Sequence, residues 1–119
     1  MVIRTIKLTS LFVNTENYRF EPLSSQKEAI DKMVEDQGDK LYSLVDDIVT
    51  NGLSPVDLII VTPNEDNSKY IVLEGNRRIT SLKLLNNPTL VDDKYVSLRK
   101  KFQKLQKENP NAISELKNI

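Results

Sequence analysis

The stretch Tyr70-Ile71-Val72-Leu73-Glu74-Gly75-Asn76-Arg77-Arg78-Ile79-Thr80-Ser81-Leu82-Lys83-Leu84-Leu85 decides how this chain folds. Ile71, Val72 and Leu73 are a short apolar, β-branched run with a glycine just beyond, which predicts a buried strand. Ile79, Leu82, Leu84 and Leu85 predict an amphipathic helix, and Asn86-Asn87-Pro88 supplies its stop. Asn76 is placed to cap that helix by accepting a bond from a first-turn N–H. Arg77 and Arg78 then stand where the helix dipole is already positive, the wrong end for cations. Two cations there ask for an anion. Orphan amides, a glycine permitting close approach and two guanidinium forks together suit a phosphate.

Upstream, residues 58–61 (Leu-Ile-Ile-Val) are apolar at every position, as expected of a strand covered on both faces. The polar loop from Pro63 to Ser68 is short, so this strand and the next should pair as a hairpin. Before them run two helical patterns. Ala29, Ile30, Met33 and Val34 give one apolar face, with Ser25 and Glu28 as a capping box. Gly38 should end that helix and Asp39 cap the next. Leu41, Leu44, Val45, Ile48 and Val49 then follow the i, i+3, i+4, i+7, i+8 spacing of a core-facing stripe. Asp46-Asp47 is a solvated face, because adjacent helical positions point apart. Ile3, Ile6 and Leu8 predict a strand over residues 3–8 with a turn at Thr9-Ser10. Tyr18 and Phe20 flank Arg19 in a polar loop, either packing it on the core or flanking a ligand.

Downstream, Tyr95, Leu98, Phe102 and Leu105 predict an amphipathic helix with a basic outer face from Arg99 to Lys107. That face is either solvated or a nucleic-acid surface, and its lysines leave no aromatic for base stacking. Asn109-Pro110 looks like a fresh helix start, with Ile113 and Leu116 as its apolar positions. The pattern is unfinished at Ile119, so we expect an excerpt from a longer parent protein.

Composition narrows the chemistry. The 119 residues suffice for one core and are too few for two comfortable ones. Lys+Arg and Asp+Glu number 17 each, so no global field marks a nucleic-acid binder. Cysteine and histidine are both absent, which removes disulfides, thiolate nucleophiles, Cys/His zinc sites and imidazole catalysis. Catalysis must use carboxylates, Lys, Arg, Tyr, Ser/Thr or a hard metal held by oxygens. No apolar run approaches about 18 residues, so no membrane partner is expected, and a cytoplasmic location is the default.

The order of these pieces resembles the N-terminal domain of ParB-type proteins, the ParB/sulfiredoxin-like fold. That pattern is a strand, an Asn/Arg-containing loop, a helix before Gly-x-x-Pro, a strand, then strand–Gly-x-x-Arg–helix. Here the matching parts are residues 3–8, Asn14 to Arg19, residues 41–49 before Gly52-Leu53-Ser54-Pro55, residues 58–61, and Tyr70 through Gly75-Asn76-Arg77-Arg78. The likeness covers residues 1–88, with residues 89–119 as a helical extension. It implies an α/β (α+β) fold, a small mixed sheet with packed helices.

For function the resemblance implies a nucleotide or phosphate site at Gly75, Asn76, Arg77 and Arg78, with Asn14 and Arg19 from the upstream loop. The ligand would be a nucleoside triphosphate, CTP or ATP, with Mg2+. In ParB-like partition proteins the turn Gly-Glu-Arg-Arg contacts CTP phosphates, and in sulfiredoxin Gly-Cys-His-Arg does so for ATP. Arg78 matches the arginine common to both. Asn76 replaces the Glu of one and the catalytic Cys of the other, which excludes thiol chemistry and weakens CTP hydrolysis. Glu74 is the best-placed carboxylate for a metal or a ribose, and the catalytic candidate. The structural alternatives are an ion pair of Arg78 with an acidic neighbour, and of Glu74 with Arg77 or Arg78. Three classes follow: a nucleotide-dependent switch or NTPase, a metal-dependent nuclease, and an interaction module without ligand. DNA would be reached through the parent protein, and the oligomeric state is open.

Overall fold

The computed structural model describes residues 6–13, 26–51, 59–63 and 68–109, and the backbone of 115–116. Its elements are β1 (Ile6–Lys7), β2 (Leu11–Phe12), α1 (Gln26–Asn51), β3 (Ile60–Pro63), β4 (Tyr70–Glu74), α2 (Asn76–Asn86), α3 (Val96–Glu108) and β5 (Glu115–Leu116). Three helices and a small mixed sheet make an α+β fold. Within the three-stranded sheet β4 is central, parallel to β2 and antiparallel to β3. The parallel β2–β4 pair requires a long crossover, and α1 lies in it. No helix among the described residues is long and apolar enough to cross a membrane.

The β3–β4 hairpin forms as expected, with Val61 opposite Val72 and Thr62 opposite Ile71. Ile60 faces Glu74, which leaves Leu73 as the extra residue of a β-bulge. The expectation of a strand covered on both faces is corrected. β3 is a sheet edge, and Ile60 is 39% exposed. An edge strand needs only one apolar face, which Val61 supplies toward Val72.

Helix α2 is the middle of the core. Ile79, Thr80, Ser81, Leu82, Leu84 and Leu85 are all buried, and α1 and α3 both pack on it. The small Thr80 and Ser81 admit neighbours that a larger residue would hold off. The Ser81 hydroxyl donates to the carbonyl of Arg78 at 2.8 Å. The helix stops at Asn87, whose N–H donates to the Lys83 carbonyl, and Pro88–Leu90 continues as one 3-10 turn.

α1 runs through 26 residues but breaks at Gln37, where φ −142° and ψ 25° leave the helical region. The two helices read from sequence are therefore both present, joined end to end across this break. Gly38 sits beside the break, and a Cβ there would lie 2.9 Å from Leu98 Cδ2, so its bare backbone lets α3 come close. At its start Gln26 locks α1 to the sheet. Its Oε1 accepts from the Val13 N–H at 2.7 Å, and its Nε2 donates to the Val13 carbonyl at 2.6 Å.

In α3, Leu98, Phe102 and Leu105 are buried, and Tyr42 meets Phe102 edge-on with ring centroids 5.6 Å apart. Gln106 donates to the Asn86 carbonyl at 3.0 Å, tying α3 to the end of α2. A last helix using Leu116 is corrected: Glu115–Leu116 is a strand, antiparallel to β1 with Leu116 opposite Ile6. The first strand, read over residues 3–8, ends at Lys7 and passes into a 3-10 turn over Leu8–Ser10 where Thr9-Ser10 suggested one; residues 3–5 lie outside the described residues. The Tyr18–Phe20 loop, Ser25, the Gly52–Pro55 connector, Leu58, residues 64–67, Pro110 and Ile113 lie outside the described residues.

Lys83 on α2 reaches across to the Leu8 carbonyl, 3.2 Å from Nζ. Burial, and then the charge of Lys69, hold its pKa below the usual 10.5. Between that lowered value and 10.5 the unfolded chain binds more protons than the folded one, so stability rises with pH there. Below the window the cost of burying the ammonium is fully present. Lys83→Met should remove this part of the pH dependence. Urea unfolding from neutral pH to about 10.5 should show wild type gaining on the variant as pH rises. A constant difference would contradict the assignment.

Candidate functional site

The turn between β4 and α2 is built around one backbone angle. Gly75 has φ 98° and ψ 20°, the left-handed region that side chains disfavour by about 1–2 kcal/mol. Its Cα side faces Ile59, the residue before β3: a Cβ at Gly75 would lie 3.0 Å from Ile59 Cγ1. The glycine is thus needed by the fold, whatever a ligand would require. Gly75 is also the N-cap, and the first helical bond runs from the Ile79 N–H to its carbonyl at 3.1 Å. The amides of Asn76, Arg77 and Arg78 stand outside the ladder of α2, as the first turn of any helix does.

Asn76 does not cap this helix through its side chain. It is the first helical residue, 5% exposed, and its Nδ2 donates to the Val72 carbonyl at 3.1 Å. The expectation of a capping Asn76 is corrected for a geometric reason. The left-handed turn at Gly75 advances Asn76 into the helix and turns its amide back over β4. As a side chain Asn76 belongs to the scaffold.

Arg77 and Arg78 diverge, as adjacent helical positions must. Arg77 is exposed, and its Nη1 donates to Gln37 Oε1 at a long 3.3 Å. It forms one wall of a groove of about 490 Å³, with Gln37, Asp39, Lys40, Leu41, Ser43 and Leu44 opposite. This groove exists because α1 breaks at Gln37, bringing the kink level with the start of α2. Arg78 is half-buried and is not among the groove's lining residues. Glu74 ends β4 opposite Ile60 and is exposed. Among the described residues no group of three or more Asp or Glu gathers to hold a metal. Asn14 and Arg19 lie outside the described residues.

Sequence reasoning missed Gln37 and the groove. Gly38 flagged the break in α1, but nothing local indicates that the break faces a residue 40 positions on. Searches of protein-family models, of curated proteins and of solved structures return no match to this chain.

The turn makes a direct stability prediction. Gly75→Ala should cost about 1–2 kcal/mol from the backbone angle, before any cost of the Ile59 contact. Urea unfolding should find a lower midpoint, and an unchanged midpoint would show that the turn tolerates a side chain. Asn76→Leu should cost about 1–3 kcal/mol, because the Val72 carbonyl loses a buried donor.

Proposed function

We propose that residues 75–78 grip the phosphates of a nucleoside triphosphate, in a domain of the ParB/sulfiredoxin-like type. The observation that supports it best is the left-handed Gly75, which launches α2 so that its N-terminal turn begins beside the exposed Arg77. Amides at a helix N-terminus favour anions through both hydrogen bonding and the dipole. A guanidinium adds a forked, permanently charged donor. The order of strand, kinked helix, hairpin and Gly-x-x-Arg helix supports the fold assignment.

The donor set fits phosphate better than it fits catalysis. Charge-assisted bonds contribute roughly 1.5–3 kcal/mol each, so two of them plus the amides suffice for micromolar binding. Glu74 would help hold a Mg2+ whose other ligands come from phosphate oxygens and water, the usual way Mg2+ is bound. The ion would neutralise phosphate charge. Asn76 stands where the resembled proteins carry a carboxylate or a thiol, and its amide is already bonded to Val72. Binding without hydrolysis is therefore the function proposed.

Thermal unfolding with CTP, ATP or GTP and Mg2+ tests this. At 100-fold excess over Kd the matching nucleotide adds about 2.7 kcal/mol, several degrees for a domain this size. Arg77→Ala should remove most of that shift at an unchanged ligand-free midpoint, and Arg78→Ala should remove most of it relative to its own ligand-free midpoint. If no nucleotide and no inorganic triphosphate moves the midpoint, phosphate binding here is refuted.

A further inference from the structure

Helix α3 carries Arg99, Lys100, Lys101, Lys104 and Lys107 against one acid, Glu108, in a chain of zero net formal charge. Buried Leu98, Phe102 and Leu105 fix which side meets the core. At about 100° per residue, Lys100, Lys104 and Lys107 share the opposite side, at i, i+4 and i+7, along about 10 Å of helix. All three are exposed. The flanking cations are already engaged. Arg99 pairs with Asp93 and donates to the Thr89 carbonyl at 3.0 Å. Lys101 lies 3.7 Å from Asp39 Oδ1 and over the ring of Tyr42. The stripe differs: Lys104 reaches only Glu108, at 4.0 Å, and Lys100 and Lys107 meet no acid among the described residues. Like charges at i, i+4 repel.

We propose that the Lys100–Lys104–Lys107 face of α3 docks on the phosphate backbone of duplex DNA. Charge complementarity asks for a linear polyanion, since the three lysines form a line and not a pocket. A membrane is disfavoured because the exposed apolar surface of α3 is the single Val96, too little to bury in an interface. Single strands are disfavoured because α3 itself presents no aromatic for stacking: its Phe102 is fully buried, with Tyr42 packed on its ring. The major groove of B-form DNA is wide enough for a helix, whereas that of A-form RNA is too narrow. Lysine contacts to phosphate carry no sequence information, so the binding is sequence-independent and governed by salt.

Fluorescence anisotropy of a short labelled duplex of mixed sequence tests this, with far-UV circular dichroism confirming that each variant is folded. Three phosphate contacts predict an affinity falling about 40-fold between ~50 and ~200 mM salt. The neutral, helix-compatible triple variant Lys100→Gln/Lys104→Gln/Lys107→Gln should lose most of the binding and of its salt dependence. A control removing the same charge elsewhere, Lys7→Gln/Lys27→Gln/Lys94→Gln, should keep both. No binding by wild type at low salt, equal binding by the α3 variant, or equal loss in the control would each overturn the proposal. So would tighter binding to anionic lipid vesicles than to the duplex.

Discussion

Gly75 sets the direction in which the central helix leaves the central strand, and the rest of the core is arranged around that departure. With φ 98° the chain turns sharply enough for α2 to lie against the body while β4 stays paired on both sides. Ile59 fills the space a side chain at Gly75 would take, and Asn76 returns a hydrogen bond to Val72 in the strand just left. The turn is thus closed from two sides. α2 can then be buried along nearly its whole length, with α1 and α3 packed on it. The same geometry determines what is left over. The N-terminal turn of α2 starts there with Arg77 exposed, so the scaffold's constraint and the proposed phosphate grip are one feature.

How much of this is legible in the sequence depends on how local the determinant is. The order of strand, turn and helix reads directly, because the β-branched run, the glycine and the helical spacing all lie within sixteen residues, but the expected buried strand is buried only at Val72, with Leu73 48% exposed. The hairpin and the core face of α3 read for the same reason. Long-range partners do not. Gln26 binding both backbone groups of Val13, Arg77 meeting Gln37 and β5 pairing with β1 depend on where distant segments arrive. Leu116 fits a helical spacing as well as a strand position, and its strand pairing with Ile6 decides between them. The all-apolar run before Pro63 similarly suggested a fully covered strand. Position at the sheet edge, which composition does not encode, exposes Ile60.

The candidate site divides in the same way. Its backbone part, a glycine turn into a helix, was legible. The side-chain roles were less so, because they depend on which way each residue is rotated once α2 is seated. Asn76 is turned inward to the strand, Arg77 outward to the kink of α1, and Glu74 stays exposed at the strand end. A carboxylate in place of Asn76 would face the Val72 carbonyl, a repulsive contact, so the amide suits the position structurally. This supports a site for holding an anion more than one for cleaving it.

The most direct test of the central claim follows backbone amide resonances while a nucleoside triphosphate with Mg2+ is added to isotopically labelled protein. If the first turn of α2 grips phosphate, the largest shifts will fall on the amides of Gly75, Asn76, Arg77 and Arg78, saturating together. Saturable shifts centred elsewhere, with these four amides unmoved, would contradict the account.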